Sequence, residues 1–161
     1  MLFREIPLIT SLQAVACRVT ANRPLTICSI YIPELNLNIK DLYNLEQQLP
    51  KPFLILGDFN AHNPIWGSNT DLISRKGKII EDFLTKTNLC ILNDGSPTHI
   101  DIRSGKESSI DLTLCSPNIA ADLQWSTIRD PHQSDHYPIS IKQNIPVIEP
   151  VPSRFISKKA N

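Results

Sequence analysis

Apolar and polar positions along the chain divide it into short strands and two helices. Residues 12–20 set Leu12, Ala14, Ala16 and Arg18 on one face and Gln13, Val15, Cys17 and Val19 on the other, the pattern of a strand covered on most of both faces. The turn signal Ala21-Asn22-Arg23-Pro24 leads into a run from Leu25 to Ile32 rich in β-branched residues, so a hairpin is predicted. Residues 3–9 add a weaker strand signal because of Pro7. From Asn38 the period lengthens: Ile39, Leu42, Leu45 and Leu49 form one stripe behind an Asn cap, which predicts an amphipathic helix stopped by Pro50 and Pro52. Ile79, Ile80, Phe83 and Leu84 mark a second helix. Shorter apolar runs at 90–93, 109–115, 123–129 and 137–143 read as strands, so strands outnumber helices.

One apolar run ends abruptly in groups able to handle a phosphate or a metal: Leu54-Ile55-Leu56-Gly57-Asp58-Phe59-Asn60-Ala61-His62. Alternation along a strand sends Asp58 and Asn60 to one side and Phe59 into the core. Gly57 leaves room for a bend or a close approach just before the acid. An ordinary polar turn would use the same residue types, so this stretch alone does not establish a site. The long polar connection after it, through Pro64, Trp66, Gly67 and Ser68, is placed to contact a substrate.

Composition narrows the classes. The 161 residues suit one domain, and 41% hydrophobic with 20% charged residues describes a globular chain. The expected domain covers residues 1–144, with the Pro-spaced segment 145–161 as an extended linker or tail. No apolar run approaches a membrane span and no secretory signal is recognisable, so the expectation is a nuclear or cytoplasmic protein with no membrane partner. Zero formal net charge means that any nucleic-acid contact must use a local patch or a metal. Cys17, Cys28, Cys90 and Cys115 stand singly in apolar segments, without zinc-site spacing, and read as small core residues.

Asp111 sits between Ile110 and Leu112 in a strand, where a carboxylate needs a donor or a cation beside it. His136, next to Asp135 at the head of another strand, is the natural partner, because a carboxylate fixes an imidazole tautomer. The bland reading is an outward-facing Asp on a half-exposed strand.

Taken together, Tyr31-Ile32-Pro33, Gly57-Asp58-Phe59-Asn60-Ala61-His62, Ser109-Ile110-Asp111-Leu112 and Ser134-Asp135-His136-Tyr137-Pro138-Ile139 occur in the order seen in a known superfamily. Over residues 12–143 the chain resembles the endonuclease/exonuclease/phosphatase superfamily, in particular the apurinic/apyrimidinic-type endonuclease domain of non-LTR retrotransposons. The resemblance implies an α/β fold, a four-layer sandwich of two packed mixed β-sheets flanked by helices. It implies a metal-dependent phosphodiesterase that nicks DNA, using Mg²⁺ or alternatively Mn²⁺, with a reverse transcriptase domain downstream in the parent element.

Carried over by position, Asp58 would orient or deprotonate the attacking water and Asn60 would hold a phosphate oxygen. His136, oriented by Asp111, would donate to the phosphoryl group; Tyr31 would contact the phosphate from the side, and Asp135 would lie at the metal. His62, Trp66 and Thr98 are further candidate substrate contacts, Trp66 by stacking on a base or else packing its loop. The resemblance also implies an Asn-bearing strand and a metal-binding Glu upstream of residue 12, and neither is recognisable, since Glu5 precedes Ile6-Pro7 and does not match that setting. The expectation is therefore a domain incomplete at its N-terminus, with uncovered apolar surface and with weak cation binding. Two other readings stand beside the nuclease: an inactive remnant that binds nucleic acid or protein, and a phosphoesterase acting on small phosphate esters.

Overall fold

A computed structural model describes residues 2–20, 23–33, 37–68 and 72–144, so the expected linker at 145–161 lies outside the described residues. In chain order the elements are β1 (Leu2–Ile6), β2 (Gln13–Thr20), β3 (Pro24–Tyr31), α1 (Ile39–Gln48), β4 (Phe53–Asp58), a 3₁₀ turn (Pro64–Trp66), α2 (Arg75–Thr87), β5 (Cys90–Ile91), β6 (His99–Ile100), β7 (Glu107–Ser108), β8 (Asp111–Cys115), α3 (Pro117–Ala120), β9 (Leu123–Thr127) and β10 (Ile139–Gln143). The hairpin and both amphipathic helices fall where the sequence periods put them. Asn38 accepts from Lys40 N at the start of α1, and Ser74 accepts from Gly77 N at the start of α2.

Six strands form one mixed sheet in the order β1-β2-β3-β4-β8-β5, parallel only between β3 and β4, which α1 connects. Two further strands, β9 and β10, pair antiparallel, and β6 with β7 makes a small ribbon. The architecture is α/β; among the described residues the second layer is an antiparallel pair rather than a mixed sheet. On one face of the large sheet Ala16, Cys28, Ile30, Phe53, Ile55, Leu112 and Leu114 meet Leu42, Leu45 and Leu49 beside α1 and Ile80 and Phe83 of α2, all buried. Tyr43 and Phe83 meet edge to face between the helices, ring centroids 5.4 Å apart. Arg18, on the same face, donates to Thr26 Oγ1, Pro50 O and Lys51 O, which ties down the turn feeding β4.

The opposite face carries cross-strand rows set by register. Phe3, Val19 and Leu25 form one row; Cys17, Ile27, Leu54 and Cys115 a second; Tyr31, Asp58 and Asp111 a third at the strand ends. The β9–β10 pair covers the β4–β8 part of this face, where Trp125 Nε1 donates to Thr113 Oγ1 at 3.1 Å. Towards β1 and β2 the face is open: Phe3 is 75% and Val15 71% exposed. A groove of about 480 Å³ separates Leu25, Ile27 and Leu56 from Ile119, Leu123 and Ile141. Apolar side chains are thus exposed on this half of the sheet face, as they also are outside the sheet at Ile9, Ile65, Leu72 and Ile102.

Gly57 is the position in β4 that tolerates no side chain. Its φ is +145°, and an added Cβ would run into the Ile30 backbone carbonyl of β3. Gly57→Ala should therefore destabilise the fold by about 2–4 kcal/mol, read as a lowered urea midpoint. An unchanged midpoint would show that β3 and β4 separate there without cost.

Candidate active site

The third row of the open face becomes polar as the strands end. Tyr31 is paired with Asp58 and Asp58 with Asp111, so register sets their side chains on one face across β3, β4 and β8. Past Asp58 the strand breaks: Asn60 adopts a left-handed backbone (φ +48°), a conformation Asn accepts more readily than most residues. This kink, rather than strand alternation, brings Asn60 onto Asp58. The Asn60 N–H donates to Asp58 Oδ1 and its Nδ2 to Asp58 Oδ2, both at 2.8 Å. Phe59 is fully buried, as alternation required.

Asp111 is held at its backbone from two sides. Thr98 Oγ1 accepts from the N–H groups of Ile110 and Asp111, and Asn93 Nδ2 donates to the Asp111 carbonyl. Its carboxylate then meets the His136 ring, Oδ2 to Nδ1 at 2.8 Å. His136 comes from the segment before β10, bridged to His99; Ile100 N donates to Asp135 O at 2.8 Å and Tyr137 N to Thr98 O at 2.7 Å. Asp135 projects outward, its side chain 55% exposed and Oδ2 3.9 Å from His99 Nε2.

Burial, and secondarily the Asp111 carboxylate, raise the Asp58 pKa above the usual aspartate value against the opposing Asn60 N–H, His136 and Lys76. Lys76, on α2, donates to the Pro33 carbonyl at 3.2 Å and adds positive potential beside Asp58 and His62. His62 is held below the ordinary histidine value by burial first, then by Lys76 and His99. Its backbone is clamped to the α2 N-terminus, Ser74 N donating to His62 O and His62 N to Ser74 Oγ. Gly77 permits this contact, because a Cβ there would strike the His62 carbonyl.

Several expectations change with this geometry. Asn60 Nδ2 donates to Asp58 Oδ2 and to Ile32 O, which occupies both amide hydrogens. Trp66 is fully buried with its Nε1 on Ala61 O, so it packs the loop and has no face for a base. Thr98 is fully buried under Asp111 and orders that strand instead of touching a substrate. Tyr31, 45% exposed at the end of its strand, and His62 remain at the accessible mouth. His99 and Lys76 carry no signal in the sequence. His99 lies on a two-residue strand too short to give a period, although it directly follows Thr98, and Lys76 is recognisable only once α2 docks.

Residues 25–140, more than half of the chain, match the protein family described as endonuclease-reverse transcriptase. The chain belongs to that family. Its structure is similar to the endonuclease domain of TRAS1, a telomere-specific non-LTR retrotransposon, with TM-score 0.72 and 26% identity over 83% of this chain and 64% of that one. It also shares its fold with a 3'-5' exonuclease from Neisseria meningitidis (TM-score 0.64, 19% identity, 82% and 65% covered) and with an AP endonuclease from Leishmania major (0.63, 10%, 83% and 55%). No curated protein matches the chain at a significant level. The family and these neighbours establish the endonuclease/exonuclease/phosphatase fold. The chain spans just under two thirds of the length of the first of these structures. No helix among the described residues is long and apolar enough to cross a membrane.

Proposed function

We propose that this chain is a metal-dependent DNA endonuclease domain of a retrotransposon-derived protein, nicking a target strand for a reverse transcriptase carried by the same element. The observation that carries the reading is the 2.8 Å Asp111–His136 pair set beside Asp58 on one sheet face. Phosphodiester hydrolysis needs a base for water, a donor for the phosphoryl group and compensation for charge on the phosphoryl oxygens. Asp58, whose raised pKa makes it a stronger base, takes the proton from the water, with Asn60 fixing both carboxylate oxygens. Asp111 holds the proton on His136 Nδ1, so the opposite nitrogen faces the reaction. Tyr31 approaches the phosphate from the side, and His62 lies at the rim.

The donor chemistry suits a hard cation: Asp58 and Asp111 face each other across β4 and β8, and the Asp111 carboxylate adds to the burial that raises the Asp58 pKa. Mg²⁺, or Mn²⁺, would be held by Asp135 with water and substrate phosphate, as such ions commonly use one or two carboxylates. When bound, it would neutralise charge on the phosphoryl oxygens. A DNA substrate favours a nuclear site of action.

The test compares supercoiled plasmid with soluble phosphate esters, with and without Mg²⁺. Nicking of the plasmid that EDTA removes and Asp58→Ala abolishes is the expected result. Faster turnover of soluble esters than of DNA would overturn it in favour of a small-molecule phosphoesterase. DNA binding with no metal-dependent turnover of either would point to an inactive binding module.

A further inference from the structure

Beside the proposed nucleolytic groups lies a second arrangement, rich in nitrogen, that includes His99. One ligand-capable atom from each of His99, Asp135 and His136 falls within 4.8 Å of the others. The two histidines are tied by more than proximity. Their residues form an antiparallel bridge, with hydrogen bonds on both sides of it, and their rings meet edge to face with centroids 4.9 Å apart and planes at 66°. Each ring also has Nδ1 beside an oxygen: His136 against Asp111 Oδ2 at 2.8 Å and His99 against Ser108 Oγ at 3.3 Å. That is how metal-ligating histidines are usually braced, an outer oxygen fixing the tautomer and leaving the Nε2 lone pair for the ion. His99 Nε2 stands 3.9 Å from Asp135 Oδ2, and the exposed Asp135 side chain is free of the packing that would stop it from closing that gap. Ligands bonded at about 2.0–2.1 Å around a tetrahedral ion need separations somewhat shorter than this, a small adjustment for a surface carboxylate.

We propose that His99, Asp135 and His136 form a binding site for a divalent transition cation of the Zn²⁺ type, chemically distinct from the oxygen-bound Mg²⁺ of the proposed reaction. Two imidazoles and one carboxylate select Zn²⁺, Co²⁺ or Ni²⁺ over Mg²⁺, which prefers oxygen and gives up its water reluctantly. The two sites share Asp135, and His136 is the donor of the proposed reaction, so the transition cation and the reaction exclude each other. A cation on His136 Nε2 occupies the lone pair and removes the proton that this nitrogen would donate, which makes such metals inhibitors of nicking. This consequence rests on the role proposed for His136; the binding does not.

Co²⁺ is the probe, because its visible absorption intensifies when nitrogen and oxygen ligands of a protein replace water. Titration of the whole chain without DNA should give one Co²⁺ per chain, displaced by Zn²⁺ and retained in a hundredfold excess of Mg²⁺. His99→Ala and the exposed Asp135→Ala should each weaken it at least as much as losing an outer hydrogen-bonding partner does, roughly 10- to 100-fold. His132→Ala, at the exposed pair it makes with Asp130 and outside the three proposed ligands, should leave the titration unchanged. Wild-type binding in the Asp135→Ala variant, or displacement by equimolar Mg²⁺, overturns the proposal. With no DNA present, either outcome is independent of whether the chain nicks.

Discussion

His136→Ala should lower Mg²⁺-dependent nicking of supercoiled DNA by about 10²- to 10⁴-fold, the range that a positioned acid or base ordinarily contributes. The loss should fall on kcat and leave KM for DNA nearly unchanged, because the role proposed for the ring is to act on the phosphoryl group and not to grip the backbone at large. Asp111→Asn keeps the shape of the pair but removes the charge behind the 2.8 Å contact, so its loss should be smaller and in the same direction. The combined variant should be no worse than His136→Ala alone, since Asp111 acts through the imidazole. Additive losses in the double variant would separate the two residues and remove the pair from the proposed mechanism. Circular dichroism of each variant checks that the fold is intact.

The second large effect concerns the open half of the sheet. Phe3 and Val15 are three-quarters and nearly three-quarters exposed there, and the chain spans 64% of the TRAS1 domain it resembles. Joining to this chain the part of that domain without a counterpart here should cover the face, abolish binding of an apolar dye, and raise nicking by on the order of a hundredfold or more through groups preorganised at the mouth. A further Asp58→Ala change in the fusion should return nicking to background. If the 161-residue chain by itself nicks as fast as the fusion, the residues described above hold the cation without help, and the expectation of a weak site is wrong.

Much of this protein was legible one residue at a time. Period-two and longer-period patterning located β2, β3, α1 and α2, and Asn38 marked a helix start, because these features depend on neighbours a few positions away. Asp111 declared itself by being a charge in an apolar strand, and His136 followed as the partner such a charge requires. The order of the four motifs was enough to give the fold and the family.

Other features depend on contacts between distant segments, and only the folded chain decided them. Asn60 reaches Asp58 through a left-handed kink, and its second amide hydrogen goes to Ile32, a residue of another segment. Trp66 and Thr98 carry side chains that suit a binding site, but packing buried both, and burial is a property of what lies on top of a residue. His99 gained its place from a single bridge to His136, 37 positions later, which no local period encodes. The sequence by itself determined the longer strands and both amphipathic helices, the family and the Asp111–His136 pair at the centre of the site. Register, docking of α2 and the β6–β7 ribbon decided which polar groups face the mouth, because those choices depend on through-space packing and hydrogen bonding between segments far apart in the chain.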